Sequence, residues 1–342
     1  MTQKYENVYL LETAVITGPY EKKGPLVKYF DYSYDDLYFG NNTWEQAEAF
    51  LLNKSVELLL SKLGIKKEKV DLFISGDLLN QLMASNLVAS KEQIPYFGIY
   101  NACASGIEGL IIAANMIQGG LKNIICSVSS HNNAAEKQFR NPVEYGGPKP
   151  KRSTFTVTGG VSGLVSKTKS NIKIESSTIG VVSDMNQKDV YNMGAVMASA
   201  AGDTIYKHLK DMNRSIGYYD MVFTGDLGVI GKKILKDYLK EAYNIKLEHY
   251  DDTACMIYDL NSQEVNSGGS GPACVMAVTY SYIVKKMKEG KWHKVLIVGT
   301  GSLHNTTLIN QKLSIPSIAH AISLEVIKWY IWMLLYFVVL FV

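Results

Sequence analysis

The chain has 342 residues, more than one ordinary domain of roughly 100–200 residues, so we expect one large α/β domain or two fused halves. A composition of 47% hydrophobic and 20% charged residues is that of a folding chain and excludes an intrinsically disordered one. The 35 basic and 32 acidic side chains give a formal charge of +3, too even a balance for a surface that binds a phosphate backbone. We therefore predict no nucleic-acid partner.

The four cysteines form no C-x-x-C pair and no Cys/His cluster with metal-ligand spacing. This spacing predicts no metal site and favours a reducing compartment. We also predict no cofactor. The first ten residues, MTQKYENVYL, show no charged leader followed by an apolar stretch and a small-residue cleavage site. We therefore expect the folded part of the chain in the cytosol.

The first strongly marked element is a helix over residues 44–63. Thr43 with Gln46 three residues later is a capping-box pattern. The run that follows carries an apolar stripe, and Gly64 stands where a C′ glycine belongs. We expect this helix to cover one face of a sheet.

An internal repeat organises the chain. VDLFISGDL at residues 70–78 is echoed by YDMVFTGDL at 219–227, and NIICSVSSHN at 123–132 is echoed by KVLIVGTGSLHN at 294–305. Each block has the pattern of a short apolar strand, a Gly-Asp turn, an amphipathic helix and further buried strands, which is βαβαβ patterning. Such units build mostly parallel sheets covered by helices.

The repeat predicts an α/β fold with an N-terminal half at residues 1–168 and a C-terminal half at 169–325. Asp77 and Asp226 lie at the two matching Gly-Asp turns. Aspartate is a favoured N-cap residue, so we expect each of them to cap the helix that follows it.

The most informative segment for function is YFGIYNACASG at residues 96–106, followed by the apolar run 107–117. This pattern predicts a strand that turns sharply into a helix, with Cys103 at the corner. A thiol there faces the positive end of the helix dipole and free backbone N–H groups, which lower a thiol pKa and can hold an oxyanion. The alternative is a buried structural cysteine.

Residues 131–152, HNNAAEKQFRNPVEYGGPKPKR, are rich in Asn, Pro, Gly and charge. That composition is typical of an irregular loop placed over a scaffold. We expect this loop to form the lid of a pocket. The alternative is a solvated surface loop that contacts no site.

The C-terminal segment, residues 326–342, has Lys328 as its only charge. From Trp329 onward it would form roughly 21 Å of helix at about 1.5 Å per residue, against a hydrocarbon core of about 30 Å. It is too short to span a bilayer comfortably. We place this tail outside the fold, either as a short membrane anchor or as a stretch read through from a neighbouring coding region.

The sequence N-A-C-A-S-G on a strand-to-helix turn, within duplicated halves, resembles the thiolase and β-ketoacyl-[acyl carrier protein] synthase superfamily. The resemblance implies a thiolase-like fold of two pseudo-duplicated βαβαβ halves in a layered α/β arrangement. In the synthase III branch the nucleophilic Cys works with a His and an Asn of the second half. The matching positions here are Gly225 and Gly269, so we interpret Cys103 as a vestigial nucleophile and predict that the chain is not an enzyme.

Over nearly all of residues 1–325 the chain resembles the stage V sporulation protein AD family of endospore-forming bacteria. The segments that carry this resemblance are residues 101–106, 130–133, 191–198, 299–305 and 314–325. The resemblance implies a non-catalytic protein that binds dipicolinic acid in the old thiolase pocket. It also implies a channel complex with membrane-embedded sister proteins, which moves dipicolinate across the spore inner membrane during sporulation and germination.

The same resemblance implies a peripheral location at the forespore or spore inner membrane, with the folded part in the cytosol or spore core. A homodimer is left open. The alternative function is a Cys103-dependent acyl-thioester enzyme of the synthase III type.

Dipicolinate is a planar aromatic dianion, so its site should offer cations or N–H donors for two carboxylates and a flat surface for the ring. His131 and Asn132 follow a buried strand, and His304 and Asn305 end the equivalent strand of the other half. If the halves are related by a pseudo-twofold axis, the two pairs approach the centre from opposite sides. The alternative for each His is a structural role.

The lid segment adds four cations that could pair with the carboxylates: Arg140, Lys149, Lys151 and Arg152. Arg152 is preferred, because arginine grips carboxylates in a bidentate manner and because it directly precedes the β-rich residues 153–157. The predicted ligand-binding set is Cys103, His131, Asn132, Arg152, His304 and Asn305.

Overall fold

The fold is given by a computed structural model that describes residues 1–139 and 149–327. The predictions for Arg140, for the middle of the lid and for most of the tail lie outside the described residues. In the part of the chain that is described, no helix combines the length and the apolar character needed to cross a membrane.

The strands are short at the edges of the fold and longest near its centre. Those of the described residues are β1 (Thr2–Lys4), β2 (Tyr9–Thr17), β3 (Tyr32–Ser33), β4 (Leu72–Gly76), β5 (Tyr96–Gly98), β6 (Asn123–Ser130), β7 (Phe155–Thr156), β8 (Gly159–Ser166), β9 (Ile172–Thr178), β10 (Met221–Thr224), β11 (Tyr250–Asp252), β12 (Gly269–Ser270), β13 (Lys294–Ser302) and β14 (Ser317–Val326).

Helices lie between most of the strands along the chain. Those of the described residues are α1 (Pro19–Lys22), α2 (Trp44–Leu63), α3 (Met83–Glu92), α4 (Ser105–Gln118), α5 (Asn132–Phe139), α6 (Met193–Met212), α7 (Gly228–Tyr243), α8 (Thr253–Ile257), α9 (Pro272–Val278), α10 (Val284–Lys288) and α11 (Thr306–Asn310).

One mixed sheet carries the fold, in the strand order β11-β10-β13-β14-β9-β2-β8-β6-β4-β5. Strands β4, β5 and β6 are parallel, as are β10, β11 and β13. The order therefore repeats as two five-stranded arrays, which meet where β2 pairs with β9 at Tyr9–Lys173 and Leu10–Ile172. The parallel prediction is wrong for β8, β2, β14 and β9, which pair antiparallel; such pairing needs no helix crossing the face of the sheet.

The main core surrounds α4 and α9. Ile107 and Leu110 of α4 are fully buried, and every residue of α9 is buried. A helix that is apolar on all sides belongs in a protein interior. The two helices approach closely, because a Cβ added to Gly106 would lie 2.2 Å from the Cγ of Met276. This packing fixes the end of α4 that follows Cys103.

The structure confirms the helix predicted over residues 44–63. The hydroxyl of Thr43 accepts a hydrogen bond from the backbone N–H of Gln46 at 3.2 Å, and Gly64 adopts a left-handed φ of 61°. Thus the N-cap and the C′ glycine lie where the pattern puts them. The helix packs on β2 and β8 and covers that face of the sheet.

Two predicted boundaries differ from the structure. Residues 132–139 form α5, although we expected an irregular loop over this segment. Val326 pairs with Ile172, so β14 extends one residue into the segment that we had placed outside the fold. The division at residues 168 and 169 falls between β8 and β9 and stays a prediction.

Candidate functional site

A cavity opens where α5, the start of α6 and the turn before α4 meet the short β7–β12 pair. It holds about 840 Å³ of empty space, its open mouth included. Its described lining combines a thiol, hydroxyls, aromatic rings, an imidazole and an ion pair: Cys103, Ser153, Thr154, Thr156, Ser270, Ser302, Tyr100, Phe139, Tyr191, His304, Glu136 and Lys149.

Cys103 lies on a tight turn at the bottom of this cavity. Ala102 before it adopts a φ of 49°, and α4 begins two residues later. The hydroxyl of Ser105 holds the turn, because it accepts from the N–H of Asn101 at 2.9 Å and donates to the carbonyl of Ala102 at 2.8 Å. A Cβ on Gly301 would come 2.7 Å from the Asn101 carbonyl oxygen. The glycine at position 301 therefore permits the close approach of β13 to this turn.

The electrostatics of Cys103 contradict the expected activation of its thiol. Burial raises the pKa of Cys103 well above its ordinary value, and the adjacent carboxyl of Asp226 raises it further. The backbone N–H of Gly271 favours the thiolate, but burial and a neighbouring acid outweigh it. The thiol is therefore neutral at ordinary pH.

Asp226 has a different role from the predicted helix cap. Its Oδ2 accepts from the N–H of Gly271 at 3.1 Å, whereas the start of α7 is capped by Asp252, which accepts from the N–H groups of Leu227 and Gly228. The prediction is confirmed for Asp77, which accepts from Leu79 and from Ser85 in the first turn of α3. The two matching turns are therefore not equivalent.

The positions matched to the synthase His and Asn do not face the thiol. A Cβ built on Gly225 would lie 2.7 Å from the Cβ of Val275, and one on Gly269 would meet Ile257 and Cys274. The side chain that this turn places beside Cys103 is Asp226. From the glycine at position 225 we expected no side chain near the thiol at this turn. The structure instead has the carboxyl of Asp226 there.

The structure brings two of the predicted ligand residues, Cys103 and His304, into the cavity. Burial lowers the pKa of His304 to about 4, so its imidazole is neutral at pH 7, and its Nδ1 lies 3.3 Å from the hydroxyl of Ser302. It stacks obliquely on the ring of Phe139. It offers hydrogen bonding but no charge.

His131 and Asn132 do not line the cavity. The Nε2–H of His131 donates to the carbonyl of Leu37 at 2.9 Å, and its Nδ1 accepts from the N–H of Asn133 at 3.2 Å. Its imidazole is thus a neutral structural group. The N–H of Asn132 donates to the hydroxyl of Thr158, because the start of α5 turns both residues away from the cavity.

Arg152 and Asn305 also lie outside the cavity lining. Arg152 forms an ion pair with Asp189, with 2.6 Å between Nε and Oδ2, and its guanidinium lies over the ring of Tyr191. Asn305 caps α11 by accepting from the N–H of Leu308 at 2.9 Å. Arg152 is thus held at the rim of the cavity, and Asn305 lies in an outer groove.

Of the lid cations in the described part of the chain, Lys149 reaches the cavity. Its ammonium pairs with Glu136 of α5 and donates to the carbonyl of Thr154 at 3.2 Å. Thr154 was missed from the sequence: its buried hydroxyl lines the cavity and has no hydrogen-bond partner among the described residues. The signal in the sequence was the alternation of threonines at 154 and 156, just before and within β7, since both line the cavity.

Two helix N-termini point towards the cavity. Cys103, two residues before α4, and Met193, the first residue of α6, both line the cavity. The positive ends of helix dipoles favour negative groups. No group of three or more His, Cys, Asp or Glu side chains in residues 1–139 and 149–327 could hold a metal ion.

An outer groove continues the cavity past Tyr100 and Phe139, which line both. The remaining described residues of this groove are uncharged: Asn80, Gln81, Leu82, Gln138, Asn305, Thr306 and Thr307. The approach to the cavity is therefore lined by amides and hydroxyls.

Comparison with solved structures identifies the fold. The chain is similar to 3-oxoacyl-[acyl-carrier-protein] synthase III from Aquifex aeolicus, with a TM-score of 0.56, 14% identity and coverage of 93% of this chain and 99% of that one. It is also similar to cerulenin-bound OleA from Xanthomonas campestris, with a TM-score of 0.60, 14% identity and coverage of 94% and 98%. The predicted thiolase-like fold is thereby confirmed.

Comparison of sequences identifies the family. The stage V sporulation protein AD family matches residues 2–325. The chain is 43% identical over 320 residues to stage V sporulation protein AD of Bacillus subtilis, covering 93% of this chain and 94% of that protein. The family predicted from the sequence is confirmed: this chain is a sporulation protein that belongs to the stage V sporulation protein AD family.

Proposed function

We propose that the chain binds dipicolinate in the cavity, without catalysing a reaction, as one component of the spore channel complex that moves this ligand across the inner membrane. The observation that carries the proposal is the lining of the cavity. It places the Lys149–Glu136 ion pair, the Thr154 hydroxyl, which has no partner among the described residues, and the starts of two helices around a space bordered by aromatic rings.

These groups suit a dicarboxylate. The ammonium of Lys149 and the hydroxyl of Thr154 lie on one wall, and the ammonium already donates to the Thr154 carbonyl. A carboxylate that accepts from both would satisfy the Thr154 hydroxyl, whose burial without a partner costs about 1–3 kcal/mol. The start of α4 at Cys103 offers a second region of positive potential for the other carboxylate.

The aromatic side chains suit a flat ring. Tyr100, Phe139 and Tyr191 border the cavity from different elements, and stacking on aromatic faces favours planar ligands. His304, neutral at pH 7, adds a hydrogen-bonding edge that can meet the pyridine nitrogen. The revised ligand set therefore keeps Cys103 and His304 and replaces the other predicted residues by Lys149 and Thr154.

The alternative, an acyl-thioester enzyme, has one observation in its favour, which is that the Cys103 thiol lines the cavity of a fold shared with condensing enzymes. The raised pKa of Cys103 and the acid beside it oppose this function, because the thiolate is the nucleophile. Incubation with acetyl-CoA followed by intact-mass measurement separates the two, since only the enzyme would carry an acyl group on Cys103.

We further propose that the chain acts peripherally at the spore inner membrane with membrane-embedded sister proteins, as membership of the sporulation family suggests. A homodimer is supported by Met83, Leu87 and Phe97, exposed apolar side chains on α3 and the edge strand β5. Light scattering of the purified chain would measure its mass. A monomer at micromolar concentration would refute the dimer and leave the ligand proposal standing.

The direct test is calorimetry of the full chain with dipicolinate and, for comparison, benzoate. We expect saturable binding of dipicolinate that weakens with salt, because charge contacts near a surface are screened, and weaker binding of benzoate. Lys149→Met should lower the affinity about 10- to 100-fold, as expected for a charge-assisted hydrogen bond. Lys151→Met, an exposed lysine of the same segment, is the matched control and should change nothing. The absence of saturable heat at millimolar dipicolinate would refute the proposal.

A further inference from the structure

Three aromatic rings form a row on one side of the fold. Tyr29 contacts Tyr282 edge-to-face with 4.9 Å between the ring centroids, and Tyr282 contacts Trp292 in the same way at 5.9 Å. The two tyrosines are partly exposed, whereas Trp292 is buried. Tyrosine and tryptophan are enriched at surfaces where one side of the ring is apolar and the other is wet. The row therefore has the composition of a contact surface.

Exposed lysines cover both ends of this row. The ammonium groups of Lys28 and Lys285 each lie 5.3 Å from the ring centroid of Tyr29, and that of Lys291 lies 4.7 Å from the centroid of Trp292. All three lysines are exposed. Cation–π contacts at exposed sites are weak, so these ammonium groups remain available to an external anion.

The acids near these lysines pair with other cations. Glu289 accepts from Lys286, with 2.6 Å between Oε2 and Nζ, and Glu325 of β14 lies 3.9 Å from the ammonium of Lys294. Within the described residues, the three lysines over the rings form no ion pair of their own. We call the following side chains the lysine–aromatic face: Lys28, Tyr29, Tyr282, Lys285, Lys291 and Trp292.

The apolar tail leaves the described part of the chain beside this face. The N–H of Val326, at the end of β14, donates to the carbonyl of His293 at 2.8 Å, and His293 directly follows Trp292. Residues 329–342 carry no charged side chain. The chain therefore becomes wholly apolar just beyond the point where lysines and aromatic rings gather.

We propose that the lysine–aromatic face docks on the anionic surface of a lipid bilayer, with the apolar tail entering the bilayer beside it. A single apolar anchor of limited length binds a bilayer weakly and reversibly, and a basic patch supplies the second signal that stable attachment needs. Lysine ammonium groups attract anionic headgroups, and tyrosine and tryptophan rings favour the level of the headgroups. The face and the tail together supply both signals.

This surface is separate from the dipicolinate cavity. Trp292 lies two residues before β13, and Ser302 at the other end of this nine-residue strand lines the cavity. At about 3.3 Å per residue, roughly 30 Å of strand lies between them. The inference rests on the proposed peripheral location and names its lipid partner. Vesicle binding and dipicolinate calorimetry test the two sites separately, so either proposal can fail while the other stands.

The test is co-sedimentation of the full chain with vesicles of phosphatidylcholine, with or without about 30% phosphatidylglycerol, at about 0.1 M salt. The readout is the ratio of the anionic to the neutral partition coefficient, because the tail contributes to both and the lysines only to the first. Each lysine near an anionic surface contributes about fivefold to binding. We therefore expect Lys285→Glu combined with Lys291→Glu to lower the ratio at least about tenfold.

The matched control is Lys233→Glu combined with Lys236→Glu, which makes the same change in net charge. Both lysines are exposed on α7, which packs on α6. We expect this control to lower the ratio less than about threefold, because charges more than about 10 Å from the bilayer are largely screened at this salt concentration. An equal loss in the two double variants would overturn the proposal.

Two further measurements keep the test decisive. If charge reversal unfolds the protein, as reported by circular dichroism, Lys285→Gln combined with Lys291→Gln removes both positive charges and keeps an aliphatic stem over each ring. An unchanged ratio in that variant would contradict the proposal. Equal partition of the wild-type chain onto anionic and neutral vesicles would also contradict it.

Discussion

Replacing Glu21 by glutamine should change how the stability of the protein depends on pH. Glu21 of α1 is fully buried, and its Oε1 accepts from the N–H of Thr158 at 2.9 Å and from the hydroxyl of Tyr258. Burial raises its pKa from the ordinary 4.5 to about 7, although the hydrogen bond from Tyr258 acts in the opposite direction. The folded protein therefore holds a proton on Glu21 that the unfolded chain releases near pH 4.5.

The sign and size of the pH effect on stability follow from the difference between the folded and unfolded pKa values of Glu21. A group whose pKa is raised on folding contributes stability that is fully present below its unfolded pKa and is lost as pH rises through the folded value. Between pH 5 and pH 8, Glu21 should therefore remove about 2–3 kcal/mol from the free energy of unfolding. Glutamine keeps the oxygen that accepts from Thr158 and Tyr258 but does not titrate. Its unpaired amide N–H costs a constant amount at both pH values, which cancels in the comparison.

The assay is urea unfolding of the full chain at pH 5 and pH 8, followed by far-ultraviolet circular dichroism. We expect the loss of stability between the two pH values to be about 2–3 kcal/mol smaller in Glu21→Gln than in the wild type. Other buried acids, such as Asp252, whose pKa is raised to about 6 by burial, are present in both proteins and cancel.

Glu175→Gln supplies the control. Burial acts to raise the pKa of Glu175, but hydrogen bonds from Arg214 and Ser176 dominate and lower it to about 2, so it stays ionised from pH 5 to pH 8 in the folded protein. This variant should be less stable at both pH values by the same amount. If Glu21→Gln loses as much stability as the wild type between pH 5 and pH 8, the reasoning about Glu21 is refuted.

Three further outcomes are expected. Gly106→Ala should destabilise the protein by about 1–3 kcal/mol in urea unfolding, because the new Cβ would lie 2.2 Å from the Cγ of Met276; an unchanged midpoint would show that α4 and α9 can separate freely. Thr43→Ala should cost about 0.5–2 kcal/mol through the lost bond to Gln46, whereas Thr43→Ser should cost little. Removal of residues 328–342 should leave dipicolinate affinity unchanged in calorimetry, and its loss would show that the tail takes part in binding.

The parts of the fold that depend on local patterns were predictable. The cap at Thr43 and the glycine at 64 define α2 because they act within one turn of the chain. The repeat predicted the succession of strands and helices along each half, but not the order of the strands in the sheet. The antiparallel partners of β8 and β14 were not predictable, since those pairs join residues far apart in sequence. Helix α5 was missed because the prediction rested on the composition of the whole lid segment, which is typical of a loop. Within that segment, Ala, Glu, Lys and Gln at 134–138 favour a helix.

The site was predictable at the residues fixed by the N-A-C-A-S-G turn and less so elsewhere. Cys103 lies where the pattern puts it, but its environment depends on Asp226, whose direction is set by a positive φ that the sequence does not reveal. The sequence comparison aligned Gly225 with the histidine of the synthases. It therefore overlooked the side chain of the next residue, Asp226, which lies near the thiol. Similarly, His131 follows the right strand, yet the turn into α5 directs its ring to Leu37.

The junction between the two arrays has a consequence for folding. Strand β9 pairs with β2 at Tyr9–Lys173 and Leu10–Ile172 and with β1 over residues 2–4, so the first ten residues of the chain carry the backbone link between the arrays. Helices α4 and α9 belong to one buried core, and the burial of their side chains is a second link. Because both links must open before the arrays can separate as foldons, amide exchange in β2 and β9 should be slow.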